Sequence, residues 1–195
     1  MLRVDCLREL ALLARDSLVV AALGGTTDEW NHVRPSDANF FNVAMGSNLP
    51  LAMGLAFALP RHRVLLLDTD GCQLMTLGAL CTLANHPPAN LSVFVMDNES
   101  YAYTGAQPSA TSGRADLAAL ARAAGIERSF EVSTIEEFRE TAQREISLDK
   151  LSYVVAKVIP EGGAGFRRGF DHVEAKYRFV RYIERLEGKD IISSF

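Results

Sequence analysis

Long hydrophobic runs are missing from this sequence: no apolar stretch reaches the roughly 18 residues that a membrane helix needs, so no membrane association is expected. Charges run through the first nine residues (Arg3, Asp5, Arg8, Glu9), which argues against a secretory signal peptide. Cysteine is sparse. Cys6, Cys72 and Cys81 are odd in number and lack CxxC spacing, so neither a disulfide framework nor a zinc site is expected, and they read as the reduced thiols of a cytoplasmic protein. The four histidines (His32, His62, His86, His172) form no HExxH and no i, i+4 pair, which disfavours metal binding through imidazole. Basic runs are absent too. With 20 Lys and Arg against 24 Asp and Glu, the net charge is −4, and nothing invites nucleic acid. Neither GxGxxG after the first strand nor GxxxxGK[ST] occurs, which removes the usual dinucleotide and P-loop signatures.

What is present is an alternation of two periodicities along 195 residues, 48% of them hydrophobic. Val4, Leu7, Leu10, Ala11 and Ala14 fit one helix face. Short apolar runs at 18–23, 40–44, 63–68, 91–97, 129–132 and 152–159 read as strands, the longer ones buried. Between them lie helical stretches at 51–59, stopped by Pro60, at 72–84, at 114–125, closed by Gly125, and at 134–146. Val173, Tyr177, Val180 and Ile183 mark a terminal amphipathic helix over about 171–187. Strand and helix in alternation predict the α/β class: a parallel central sheet with helices on both faces. The length suits a single domain over 1–195, with no repeat or low-complexity linker.

In parallel sheets ligands sit beyond the carboxyl ends of the strands. Those ends are Gly24-Gly25-Thr26-Thr27, Gly46-Ser47-Asn48, Asp68-Thr69-Asp70-Gly71 and Asp97-Asn98-Glu99-Ser100. Asp70 and Asn98 each follow a buried strand with one crossover helix between them. A carboxylate and an amide oxygen make a hard, oxygen-only donor pair suited to Mg²⁺ or Ca²⁺, and Mg²⁺ takes its remaining ligands from phosphate and water. The N–H groups of residues 71–73 would face such a phosphate, with Gly71 allowing the tight turn. Asp68 reads as a turn or capping residue.

"TDGC", followed by "DNESY" with Asn98 twenty-eight positions after Asp70, resembles the GDG…N diphosphate signature of thiamine-diphosphate enzymes. "MGSNLPLAMGLAFALP", "LMTLGALCTLA", "DNESYAYTGAQPS", "DLAALARAAGI" and "KYRFVRYIE" extend the likeness, over nearly the whole chain, to the C-terminal cofactor domain of sulfopyruvate and phosphonopyruvate decarboxylases. The resemblance implies thiamine diphosphate and Mg²⁺ as cofactors. It implies Asp70 and Asn98 as side-chain metal ligands and Ser100 as a carbonyl ligand. Gly46 would offer its carbonyl to the 4′-amino group, with Ser47, Asn48, Gly71, Cys72 and Tyr101 beside the cofactor. Thr104, Gly105 and Gln107 would belong to a loop closing over the diphosphate. The sequence departs from the pattern in three places. Thr69 replaces the first Gly of GDG and so demands an ordinary negative φ. Cys72 stands where Ser is usual, a weaker donor. Asn48 stands where a large apolar residue props the cofactor, and it reads also as a helix N-cap before Pro50.

By the same resemblance the activity is decarboxylation of a 2-oxo acid. The glutamate that activates the cofactor comes, in such enzymes, from a pyrimidine-binding domain. At roughly 150 residues per domain this chain has no room for it, so a partner subunit and a hetero-oligomer are expected. The alternative is a cofactor-binding structural or regulatory subunit with little chemistry. Glu29, Trp30, His32 and Arg34 read as a loop after the first strand, able to touch an anionic substrate or simply solvated. The charges of "IEEFRETAQRE" read as a solvated helix face, and Phe94, Phe138 and Phe179 as core.

Overall fold

The computed structural model describes residues 1–160 and 171–192. Its centre is made by the apolar runs. β1 (Leu18–Ala22), β4 (Leu91–Asp97) and the first five residues of β3 (Val64–Thr69) are buried residue by residue, as strands covered on both faces must be. With β2 (Asn39–Val43), β7 (Ser129–Val132) and β8 (Ser152–Lys157) they form a six-stranded sheet in the order β2-β1-β3-β4-β8-β7. Every pairing in it is parallel. Alternate side chains go to opposite faces. Val20, Leu66, Val93 and Val155 pack against α3 (Asn48–Ala58), α5 (Gly78–Asn85), α6 (Leu117–Ala124) and α8 (His172–Glu187). Val19, Leu65, Leu67, Phe94 and Val154 pack against α1 (Arg3–Leu13), α2 (Gly25–Val33) and α7 (Ile135–Ile146). Phe94, Phe138 and Phe179 are in these cores.

The helix ends follow local chemistry. Asp116 caps α6 through Ala119 N, and Gly125 closes it at φ 110. Thr134 and Glu137 form a capping box on α7. Asp171 caps α8. Three expectations change. The stretch 72–84 is two helices: α4 (Asp70–Leu74) begins two residues earlier than predicted, and α5 follows after Met75–Leu77. Residues 25–33, expected as a loop, are α2. On α7, Glu145 is fully buried between Arg128 and Arg144, both at 2.8 Å, so one charge of that face is not solvated.

The chain reverses direction across the sheet between β1 and β3, because β2 lies outside β1 and β3 returns on its other side. The carboxyl ends on either side of that switch point are where an open α/β sheet leaves a crevice. Among the described residues, no helix is long and apolar enough to cross a membrane.

Candidate functional site

The ladder between β3 and β4 runs to Thr69 opposite Met96, so the residues that follow meet at one sheet edge. Thr69 is extended, with an ordinary φ of −128, and its Oγ1 accepts from Cys72 N at 3.4 Å. Asp70 is thereby the first residue of α4. Asp70, Gly71, Cys72, Asn98, Ser100, Tyr101 and Thr104 line a cavity of about 350 Å³ whose far wall holds Arg3, Thr26 and Glu29. That volume falls within the range of small-molecule sites.

Asp70 is almost wholly buried. Its Oδ2 accepts from Ser109 Oγ at 2.5 Å and lies 3.4 Å from Thr111 Oγ1. Its Oδ1 is buried with no partner among the described residues. Burial pushes this carboxyl above its ordinary pKa, against the pull of the Ser109 hydroxyl. Beyond β4, Asn98 Oδ1 accepts from Ser100 N at 3.2 Å, and Glu99 between them turns through φ 58. An unpartnered buried carboxylate oxygen beside an amide oxygen and a tight turn of carbonyls is a donor set that fits a hard divalent cation. No cluster of three or more His, Cys, Asp or Glu fit to hold a metal occurs among the described residues. A cation here would rest on Asp70, one amide and main-chain oxygen.

The segment after Asn98 folds over the cavity as a short antiparallel hairpin, β5 (Ser100–Tyr101) with β6 (Gln107–Pro108). The Tyr101 ring lies on Gly71, where an added Cβ would come within 2.7 Å of Cε1. The Tyr103 ring lies on Gly24, and its hydroxyl donates to Asp28 at 3.2 Å. Thr104 and Gln107 bond each other, Oγ1 to Oε1 at 3.0 Å and Nε2 to the Thr104 carbonyl at 2.8 Å, around Gly105 at φ 115. They lock the hairpin tip; Gly105 and Gln107 do not line the cavity. Nor do Gly46, Ser47 and Asn48, which sit on the neighbouring turn with Gly46 at φ 80.

Asn48 and Asp68 correct the expectations made of them. Ser47 occupies the N-cap position of α3, and Asn48 is its first helical residue, fully buried. Its Nδ2 donates to Asp68 Oδ1 at 2.7 Å, while its Oδ1 has no partner among the described residues. Asp68 is no exposed turn residue: it is buried, and Gln73 Nε2 donates to its Oδ2 at 2.5 Å. Tyr153 Oη donates to Gln73 Oε1 at 3.0 Å. Burial pushes the Asp68 carboxyl up to about 6. The Cys72 thiol beside it is pushed up to about 12, mainly by burial, so it is an inert thiol.

The helix α2 takes Glu29 and Trp30 out of solvent. Glu29 accepts from Arg3 Nε at 2.9 Å and Nη2 at 2.7 Å, a bidentate pair in the cavity wall. Trp30 Nε1 donates to Asn39 Oδ1 at 3.0 Å, and Arg34 Nη1 reaches the same oxygen at 3.0 Å. Sequence reasoning missed Arg3, Ser109 and Thr111. No local pattern announces them, since their partners lie 26, 39 and 41 positions away.

The family described as thiamine pyrophosphate enzyme, C-terminal TPP binding domain, matches residues 27–156. Sulfopyruvate decarboxylase subunit beta of Methanocaldococcus jannaschii is 27% identical over 185 residues, covering 94% of this chain and 97% of that protein. Phosphonopyruvate decarboxylase of Streptomyces viridochromogenes is 33% identical over 162 residues, 83% of this chain but 40% of its own length. Among solved structures, benzoylformate decarboxylase from Polynucleobacter necessarius superposes with a TM-score of 0.68 at 18% identity, over 82% of this chain and 33% of that one. At that identity the likeness shows the fold.

Proposed function

The chain belongs to the thiamine pyrophosphate enzymes, carrying their C-terminal TPP-binding domain, and on that premise we propose that it is the thiamine-diphosphate- and Mg²⁺-binding subunit of a 2-oxo acid decarboxylase. Its relatives are named for sulfopyruvate and phosphonopyruvate, which supports an anionic 2-oxo acid as substrate. The observation that carries the reading is Asp70: a buried carboxylate with one oxygen fixed and the other without a partner among the described residues, at the sheet edge it shares with Asn98. In this reading Asp70 and Asn98 hold Mg²⁺ by side chain and Ser100 by its carbonyl. The diphosphate meets the N–H groups at the start of α4, with Gly71 and Cys72 beside it. Gly46 and Ser47 flank the aminopyrimidine. Tyr101, Thr104 and Gly105 belong to the hairpin that closes the site. Asn48 acts from behind, through Asp68. Bound thiamine diphosphate supplies the electron sink for loss of CO₂. The whole described chain serves as one diphosphate-binding unit.

A partner subunit with a pyrimidine-binding domain completes the site, giving a hetero-oligomer. The first relative's name, subunit beta, supports this. So does the cavity wall. Its one glutamate, Glu29, is held as a carboxylate in a bidentate pair with Arg3, which disfavours the protonated form that would have to donate to the aminopyrimidine. Arg3 is also the one Lys or Arg among the lining residues, so the second anion of the substrate needs a cation from elsewhere. Met75, just after α4, and Tyr103, in the cavity lining, are 63% and 64% exposed and offer apolar surface for an interface. The unpaired Cys6, Cys72 and Cys81 support a cytoplasmic site of action. Co-expression with the partner chain should release CO₂ from an anionic 2-oxo acid, while this chain alone releases none. Robust turnover by the lone chain would overturn the partner reading. One observation favours the alternative of a subunit with little chemistry: the Tyr101 ring lies on Gly71, where the diphosphate would approach.

A further inference from the structure

The unpartnered oxygen of Asp70 is matched by an unusual investment in its other oxygen. Ser109 Oγ, 4% exposed, donates to Asp70 Oδ2 at 2.5 Å, and Thr111 Oγ1, equally buried, lies 2.9 Å from Ser109 Oγ. Thr111 Oγ1 also donates to Asp97 Oδ1 at 2.7 Å. The second oxygen of Asp97 accepts from Lys157 Nζ at 2.8 Å, and the same ammonium reaches Glu99 Oε1 at 2.8 Å. Asp97 Oδ1 further accepts from Glu99 N at 3.1 Å, and the Glu99 carbonyl accepts from Ser109 N at 3.0 Å. One chain of hydrogen bonds therefore joins the start of α4, the turn after β4, the return leg of the hairpin and the end of β8. Asp97 pairs with Lys157 in the β4–β8 ladder, so its far end is held by the sheet itself. Ser109 and Thr111 do not line the cavity.

We propose that Ser109 and Thr111 are positioning residues for the metal: Ser109 pins Asp70 Oδ2 so that Oδ1 is presented, and Thr111, whose one proton goes to Asp97, fixes the Asn98–Ser100 turn in the same register. This rests on the reading of Asp70 as a Mg²⁺ ligand. The physical reason is rotamer entropy and geometry. A carboxylate free to rotate offers a cation a moving donor, and Mg²⁺ demands near-ideal octahedral placement. Partners that orient the ligands of a metal site typically contribute 10–100-fold in affinity. The same bonds tie the return leg of the hairpin to the metal carboxylate, so cation binding and seating of residues 107–112 are one event.

The test is Mn²⁺ binding to the full chain in the presence of thiamine diphosphate, read from the loss of the free-Mn²⁺ electron paramagnetic resonance signal. Thr111→Val keeps the packing and removes the hydroxyl; Thr111→Ser restores it; Asp70→Asn is run alongside. The expected result is a dissociation constant raised about tenfold or more by Thr111→Val, recovered by Thr111→Ser, and binding lost in Asp70→Asn. A merely structural role would lower the thermal midpoint and leave the affinity of the folded protein unchanged. Unchanged affinity in Thr111→Val, with binding lost in Asp70→Asn, removes the positioning role alone. An equal loss in Thr111→Ser removes it as well. Equal binding in Asp70→Asn and wild type, or none in wild type, removes the metal reading and this inference together.

Discussion

Replacing Asn48 by leucine puts an apolar residue where the family resemblance leads one to expect it, and the structure says that the exchange is costly here. Asn48 Nδ2 and Asp68 Oδ1 are 2.7 Å apart, both side chains at 0% exposure. Leucine has the same branching and is bulkier, so no cavity opens and overpacking at this fully buried position adds a pH-independent cost. What changes is that Asp68 Oδ1 loses the Asn48 donor, while Gln73 still serves Oδ2. An unsatisfied buried acceptor costs about 1–3 kcal/mol, and more when charged, so about 3 kcal/mol is expected at pH 7.5. The sign of the pH dependence follows from Asp68. Its folded pKa is pushed up to about 6 from 3.8. The folded state thus holds the proton more tightly than the unfolded chain, and stability falls as pH rises from about 4 to about 6. In wild type that group costs roughly 3 kcal/mol above pH 6, at 1.36 kcal/mol per unit, and the cost is relieved below it. Removing a donor raises the folded pKa further, so the penalty of Asn48→Leu should shrink toward pH 5, where Asp68 is protonated. Urea unfolding by circular dichroism at pH 5.0 and 7.5 measures both. A variant as stable as wild type at pH 7.5, or a loss identical at both pH values, refutes the reasoning.

Glu29→Ala leaves the Arg3 guanidinium in the cavity wall without either acceptor oxygen. Breaking a buried pair on one side costs about 3 kcal/mol, and a calorimetric scan should show the double variant with Arg3→Met recovering most of it. Gly71→Ala places a methyl 2.7 Å from Tyr101 Cε1; the ring is the far end of a movable side chain, so stability should change by less than about 1 kcal/mol. Thiamine diphosphate affinity, read by titration calorimetry, should fall for the same variant, and an unchanged affinity would remove Gly71 from the site.

The parts of this architecture that were legible in the sequence share one property: their causes are local. β1, β3 and β4 are unbroken apolar runs because both faces of the sheet are covered, and their ends point to the candidate site by the topology of parallel sheets alone. The helix α2 escaped because its buried residues include Gly25, Thr26, Thr27 and Glu29, small or polar groups; Thr27 Oγ1 donates to Ala22 O at 2.7 Å and Glu29 pairs with Arg3. No apolar stripe marks such a helix. The break between α4 and α5 escaped for the opposite reason, since apolar residues continue through Met75 and Leu77 where the backbone turns. Asp68 reads as a turn because the side-chain amides that hold it, Asn48 and Gln73, lie 20 positions before it and 5 after. Buried polar pairs of that kind belong to packing and leave no periodic trace.

The central claim is that Asp70 anchors Mg²⁺ and, through it, the diphosphate of the cofactor. Titration calorimetry of thiamine diphosphate into the purified chain, with and without Mg²⁺, should show binding that requires the metal. The same titration on Asp70→Ala, with a native circular dichroism spectrum, should show that binding lost or weakened at least tenfold, or about 1.4 kcal/mol. Metal-independent binding, or equal affinity in a natively folded Asp70→Ala, would contradict the account.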